Sequence, residues 1–474
     1  MAWLIGVAVF ALVAFMPGVL NDGDTFSHIA TGDWILAHHA VPHVDPFSYT
    51  RLGQPWVVHE WLSEILFSGS YRLLHWQGVV LLTAAAAGLA VAQLGRHLSR
   101  FLEAGPVALL LIMTVACLSP SLLARPHVLA LPVFEAWAAA LFIARADNRG
   151  PPWLMLPLML LWANLHGGYM LGVALLFPLA LEAVLAEPQN RRPIALRWGA
   201  FILASITAAA CTPAGLSGLL LPFRLTGVPE LSLVGEWQPT DFATVQPLEL
   251  ILIAGLYLAL SRGARLPPIR LLLTLGLLHM ALHHTRHLVL IGILFPLLIA
   301  EPLAIALRKE KPTGSQVGWK LAGAILACAL FVLRLSIPLE RHDSQPAPIT
   351  ALAHVPADLV STHVLNDYSF GGYLMFNHVQ PYIDGRVEVF GSDFLQRYRM
   401  LTAPDVQTLR GELQAWNIQW TILSPANPAA AVLDILPGWC RHYADPVAVI
   451  HTRCRRSGGS NSHELVDTIL HKSP

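Results

Sequence analysis

NDGDTFSHIATGDWILAHHAVPHVDPFSYTRLGQPWVVHEW, residues Asn21 to Trp61, follows the first apolar run of the chain and sets five Asp or Glu among five His. The segments around it have membrane length, and ionisable groups are costly to hold at that depth, so such a concentration reads as a site. Asp22 and Asp24 stand where the first apolar run ends. A helix is expected over Thr25 to His39, and His59 and Glu60 open the next run.

The whole chain supports a membrane setting. Its 474 residues are 55% hydrophobic and 13% charged, with a mean hydropathy of +0.54, which is too apolar for an ordinary soluble globule. Formal net charge is zero, so nothing draws the chain as a whole toward nucleic acid. Of the five cysteines, Cys117, Cys211 and Cys328 fall in apolar runs, and no metal-ligand spacing is present. Cys440 and Cys454 could meet in an oxidising compartment, although a tight turn near Asp445 would not set them opposite each other. Met1 to Leu20 lacks a basic start and a small-x-small cleavage site, and reads as an uncleaved first span.

Apolar runs of membrane length occur at 2–20, 77–95, 105–120, 127–145, 152–165, 167–187, 197–215, 246–261, 269–284, 286–306 and 319–338, about eleven in all. Basic residues decide their orientation. One alternate set of loops holds Arg96 and Arg100, Arg145 and Arg149, Arg191, Arg192 and Arg197, Arg262, Arg265 and Arg270, then Arg308, Lys309, Lys311 and Lys320. The other holds Arg51 and Arg72, then Arg125, Arg224 and Arg286 singly. This asymmetry puts the N-terminus inside and the C-terminal tail outside. Every polar cluster then falls on the outer side: the loop 21–61, Arg125-Pro-His127, Asn164-Leu-His166-Gly-Gly, Gly235-Glu236-Trp237 and the His283 to His287 segment. Independent segments converging on one face are what a single extracytoplasmic site needs.

From about residue 341 to 474, turns and short alternating runs replace the long apolar ones, and a small soluble α/β domain is expected after a membrane domain of 1–340. Strands are expected at Thr362–Asn366, Pro381–Ile383 and Ile418–Leu423, and helices at Phe370–Asn377, Ser392–Thr402 and Asp405–Ala415. A hairpin, Trp439–Tyr443 with Val447–His451, closes the domain, and Ser457–Ser462 read as a loose tail. The fold class is thus an α-helical polytopic membrane protein with a C-terminal α/β domain.

Two carboxylates two residues apart, Asp22 and Asp24, can jointly hold a hard divalent ion such as Mg2+ or Mn2+. Alternatively, one can take a proton from an attacking hydroxyl. Asp24 is also a suitable N-cap for a helix starting at Thr25. His28, four residues on, shares its helix face. Glu60, beside His59 and one helical turn before Glu64, needs a partner such as Arg125, Arg286 or a metal; the bland alternative is an interfacial helix with a wet side. Arg125 and Arg286, at span boundaries with His127 and with His283, His284 and His287, are suited to an anion, because a guanidinium stays charged and matches phosphate oxygens in pairs. The plain alternative is an ion pair with a nearby carboxylate. His166 precedes two glycines in a short turn. No HExxH pattern argues for zinc. In the tail, Asp384-Gly385-Arg386 offers a carboxylate and a guanidinium at a turn, which reads equally as a structural salt bridge.

An acidic pair in the first external loop of a many-span protein, ahead of a soluble tail, resembles the GT-C superfamily of membrane glycosyltransferases. The phrase TGDWILAHHAVPHVDPFSYTRLGQPWVVHEWLSE, Thr31 to Glu64, is similar to a group of bacterial multi-span proteins within it. The resemblance implies a multi-pass enzyme of the bacterial cytoplasmic membrane. It would move a sugar from a polyprenyl-phosphate-linked donor to a glycan, lipid or protein acceptor on the outer face, by one inverting displacement. Asp24, Asp22 and Glu60 are then the catalytic candidates. His28, His59, Arg125, His127, His166, His283, His284, Arg286, Asp384 and Arg386 are candidates for binding substrate. Some members carry an aromatic-Asp-Tyr motif that recognises a peptide acceptor; here AspTyrSerPheGlyGlyTyr, 367–373, departs from it, against a peptide. A flippase for lipid-linked glycans, or a non-catalytic envelope scaffold, are the rival readings. A flippase would line the bilayer midplane with polar groups in repeated halves, which this chain does not display.

Overall fold

The computed structural model describes residues 2–225, 235–307, 317–403 and 405–454. The tail at 457–462 and the basic residues Arg308, Lys309 and Lys311 lie outside the described residues, as do the side chains of Arg224 and Lys320.

Each apolar run of the sequence carries a helix: Ala2–Phe15, the latter part of Trp61–Leu98, Ala104–Leu118, Pro126–Ala146, Leu156–Leu165, Tyr169–Ala186, Arg191–Ala210, Pro247–Arg262, Pro268–His283, Leu288–Ala306 and Val317–Ser336. Prolines at 126, 247 and 268 occupy first helical positions, where a missing N–H costs nothing. Six of the described helices are long and apolar enough to cross a membrane by length and composition. The protein is a multi-pass membrane protein. The helix Trp61–Leu98 is two segments, because Leu74 and His75 leave helical geometry and His75 has a φ of 50°. The apolar stretch from residue 77 therefore begins just past a bend, and residues 61–73 form a separate polar-sided arm. An additional short helix, Gly215–Leu225, was not expected; its apolar run is too short and holds Pro222.

The C-terminal domain holds a four-stranded sheet of β1 (Val364–Asn366), β2 (Trp420–Leu423), β3 (Trp439–Ala444) and β4 (Val449–Arg453), in the order β1-β2-β4-β3. β1 and β2 are parallel and the other pairs antiparallel. The connection from β1 to β2 carries helices Gly371–Phe376, Val387–Thr402 and Val406–Ala415, the last begun by Asp405, whose side chain accepts from the Gln407 and Thr408 amides. Pro381–Ile383 is not a strand. The amide side chain of Asn366 takes the place of a ladder partner, accepting from Tyr382 N at 2.7 Å and donating to Ile383 O at 2.8 Å. The helix at 387 starts before the expected Ser392 because the chain bends at Gly391 and continues. A further helix, Pro428–Ile435, opens on the side-chain cap of Asn427. Cys440 and Cys454 form a disulfide, their Cα atoms 5.1 Å apart. Cys440 faces Thr452 rather than Cys454 in the ladder, so the bridge runs diagonally to the residue just past the end of β4.

The two parts meet through the 21–61 segment. Ile35, Trp56 and Val58 share one apolar cluster with Leu365, Tyr382, Ile383 and Phe390 of the C-terminal domain. Arg386 is buried among Asp384, Asp45 and Ser48, with Nη1 2.8 Å from Asp45 and Nη2 2.7 Å from Asp384. Phe26 meets Tyr373 and Phe376 edge to face. At Gly372 a β-carbon would overlap the carbonyl of Gly23, so only glycine lets the domain sit this close to the acidic triplet.

Candidate active site

The helix Asp24–His38 begins at Asp24 itself, with Gly23 before it, so Asp24 is not the N-cap. The capping role belongs to Asp22, whose Oδ1 accepts the Asp24 amide at 3.2 Å. That leaves the Asp24 carboxylate free for other partners. Thr25 Oγ1 donates to Ala124 O at 2.9 Å and ties this turn to the segment bearing Arg125.

Arg125 sits at the centre of the acids. It engages both oxygens of Asp22, reaches Asp24 Oδ2 at 3.0 Å, and meets Glu236 Oε2 at 3.2 Å. Glu236 Oε1 lies 3.6 Å from Arg286, whose guanidinium stacks 4.2 Å from the Trp237 ring centroid. The site is thus an alternating chain of charge, Asp22/Asp24–Arg125–Glu236–Arg286, drawn from four segments. His284 Nδ1 lies 2.6 Å from Trp237 O, and Thr285 Oγ1 donates to Glu236 O at 3.1 Å, holding that acid in place. Sequence reasoning placed Glu236 among the polar clusters without giving it a role, because a lone acid in a short segment does not reveal which cations it bridges.

The second group surrounds Glu60. Its partners are imidazoles rather than Arg125, Arg286 or a metal: His59 Nε2 and His166 Nε2 lie 3.6 and 3.5 Å from Oε1. His166 Nδ1 accepts the Gly168 amide at 3.0 Å, which fixes the tautomer with the Nε2 proton toward Glu60. His28 pairs with Glu64 at 3.6 Å. Trp61 Nε1 donates to Asn164 Oδ1 at 2.7 Å, holding the arm that carries Glu60 against the His166 turn. His127 bonds Ser121 O at 2.7 Å, its ring 6.0 Å from that of His166. His283 is exposed and packed on His279, with its ring 6.1 Å from that of His284 at the outer edge of the first group.

Asp384 and Arg386 do not present themselves to a substrate. Their charges are consumed in the buried network with Asp45, and the turn they form serves packing. What this turn contributes to the site is Gly385, whose backbone lies against Asp24. Tyr368, in the segment read as a degenerate acceptor motif, donates from its hydroxyl to Gly385 O at 3.5 Å. Asp367 in that segment accepts from Ser369 N and Asn427 Nδ2, so it braces the domain.

Electrostatics separate the two aspartates. Asp22 has 5% of its side chain exposed and Asp24 32%. Burial pushes Asp22 up, but Arg125 outweighs it and holds the carboxyl below its usual range. Asp24 is raised to about 6 by burial above all, helped by Asp22 and Glu236 against Arg125 and His28. Burial opposes a charge on both members of the His28–Glu64 pair; the imidazole ends raised to about 9, because Glu64, Glu60 and Asp24 all favour its proton. His166 falls to about 3, mainly by burial, and is neutral. For Glu60, burial works against the charge, but His59, His166 and His28 prevail and lower it.

Asp22 and Asp24 do not fit a divalent cation as they stand. A hard cation needs several free oxygens, whereas Arg125 already occupies both Asp22 oxygens and one of Asp24. Among the described residues, no three His, Cys, Asp or Glu side chains are grouped to hold a metal.

No family model and no curated protein matches the chain. Solved structures do. The archaeal oligosaccharyltransferase AglB from Archaeoglobus fulgidus, in complex with an inhibitory peptide and a dolichol-phosphate, matches with a TM-score of 0.53 at 11% identity, over 89% of this chain and 69% of that one. An apo form of the Archaeoglobus fulgidus oligosaccharyltransferase matches at 0.50 and 12% identity with the same coverage, 89% and 69%. ArnT from Cupriavidus metallidurans, bound to undecaprenyl phosphate, matches at 0.52 and 13% identity over 97% of this chain and 99% of that one. At such identities the likeness is one of fold, which the chain shares with these membrane proteins over most of its length.

Proposed function

We propose that the chain is a membrane glycosyltransferase that moves a sugar from a polyprenyl-phosphate-linked donor to an acceptor on the extracytoplasmic side of the cytoplasmic membrane. The observation that carries this reading is the union of a half-open carboxylate of raised basicity, Asp24, with an under-matched guanidinium, Arg286, through Arg125 and Glu236. Neighbours of the same fold bound to dolichol-phosphate and undecaprenyl phosphate support the class of donor. The bias of basic residues toward one set of loops supports a cytoplasmic N-terminus and an extracytoplasmic α/β domain of residues 341–474, after a membrane domain of 1–340.

Asp24 accepts the proton of the acceptor hydroxyl as its oxygen attacks the anomeric carbon. The bond from that carbon to the phosphate oxygen breaks on the opposite face, inverting the configuration. Charge growing on the released polyprenyl phosphate is met by Arg286, whose one carboxylate partner among the described residues, Glu236, lies 3.6 Å away. Arg125 is saturated by acids, so it orients Asp24 and is not the phosphate clamp. Asp22 holds Arg125, and Glu60 with its imidazoles positions the acceptor side. The test is transfer of label from a radiolabelled polyprenyl-phosphate sugar by the purified protein, wild type against Asp24→Asn. Undiminished transfer by the variant would remove Asp24 from the mechanism.

A further inference from the structure

A cavity of about 540 Å3 lies between the first loop, the helix Gly215–Leu225 and the C-terminal domain. Its walls include His43, Trp56 and Val58 from the loop, Ser217 and Leu221 from the helix, and Glu388 from the domain. The size is that of a small-molecule site rather than a packing defect. Val58 is followed in the chain by His59 and Glu60, and Glu388 of the lining is one of the charges that act on His59.

The chemistry of the lining is specific. Among the described residues that line it there is no Lys or Arg, and one carboxylate, Glu388. Arg386, behind the wall at 4.5 Å from the Trp56 ring centroid, is neutralised by Asp384 and Asp45. A phosphate-bearing ligand would meet Glu388, and among the described residues of the lining it would have His43 alone to offset that repulsion. Such a ligand has its place at Arg286. The remaining wall is Val, Pro, Leu, Ala, Gly and indole with the His43 imidazole and the Ser217 hydroxyl, which suits the C–H faces and hydroxyls of a sugar ring. Glu388 accepts from Trp56 Nε1 at 3.2 Å through Oε1, so the carboxylate is oriented and keeps its second oxygen for ligand hydroxyls.

We propose that this cavity is the acceptor subsite and that it takes an uncharged saccharide, with Glu388 as the residue that selects hydroxyls over phosphate. The assignment rests on the glycosyltransferase reading above, and its test is chosen to read binding without turnover.

The full chain in lipid nanodiscs, with Ser217→Cys in a Cys211→Ser, Cys328→Ser background, is labelled with a maleimide in the presence of n-octyl β-D-glucopyranoside or n-octyl phosphate. The glucoside slows labelling at position 217, and octyl phosphate, with the same tail, does not. Glu388→Gln, which keeps the bond from Trp56, weakens the glucoside's protection about tenfold, the scale of one charged hydrogen bond. Ala214→Cys, on the same wall, gives a second reporter should Ser217→Cys fold poorly. Equal protection by octyl phosphate, no protection by either probe, or full protection after Glu388→Gln each overturns the proposal. Protection in a protein that transfers no sugar from its donor would retain the saccharide site and remove the transferase reading, whereas transfer without protection does the reverse.

Discussion

Gly385 of the C-terminal domain lies so close to Asp24 that a β-carbon at 385 would overlap Asp24 Oδ1. The domain therefore helps set where the carboxylate stands, alongside Arg125 on its other oxygen. Gly385→Ala is expected to push the carboxylate aside. A displacement of this kind costs about 100-fold in turnover even when nothing chemical is removed. Transfer rate and thermal midpoint measured together decide the matter: an unchanged rate would show that the contact is idle, and a collapsed midpoint would show a packing defect instead.

If Asp24 is the base, it works only when deprotonated. Its carboxyl is raised to about 6, so kcat/KM should climb about tenfold per pH unit below 6 and level off above it. Glu236 is one of the charges that raise Asp24, and it also draws on Arg125. Glu236→Gln is thus expected to move the midpoint of the profile to lower pH. A wild-type profile that is flat from about pH 5 to 8 would exclude a carboxylate of this kind from the limiting step.

How much of this could be read from the chain follows from how local each feature is. The apolar helices are local, and their runs foretold them. The gathering of Asp24, Arg125, Glu60, His166 and Arg286 was legible too, because polar residues between apolar runs have few places to go. Partner choice was not legible. Glu60 met imidazoles rather than arginines, and Asp384 with Arg386 looked like a turn open to ligand although Asp45, more than three hundred residues earlier, buries them. Pro381–Ile383 has the look of a strand, but a side-chain amide from Asn366 replaced the ladder. Gly385 gave no signal at all, since a glycine's necessity resides in the atom opposite it.

The buried Arg386 supplies a direct check on that correction. Its side chain is 8% exposed, and Asp45 and Asp384 are fully buried. Arg386→Met leaves two carboxylates without their cation, which should lower stability by about 3–5 kcal/mol. Adding Asp384→Asn should restore part of it, because one stranded charge is removed. Denaturation midpoints of the single and double variants provide the readout. If Arg386 met substrate instead, the single variant would keep its midpoint and raise the donor or acceptor KM.

His28 links the two groups, since it follows Asp24 by one helical turn and pairs with Glu64 on the arm that carries Glu60. Its folded-state pKa is raised from 6.5 to about 9, so the folded protein binds this proton more tightly than the unfolded chain does. The stabilisation is complete below about pH 6.5, fades as pH rises, and is gone once pH passes about 9. At stake is a contribution on the order of 1–3 kcal/mol, for a pair that is almost wholly buried. Thermal midpoints at about pH 6, 8 and 9.5 should therefore fall for the wild type. His28→Gln should start lower and stay level across the same window, because glutamine has no proton to lose. Parallel curves for the two proteins would mean that His28 is neutral in the fold, and that the negative charge shared by Asp24, Glu60 and Glu64 is balanced elsewhere.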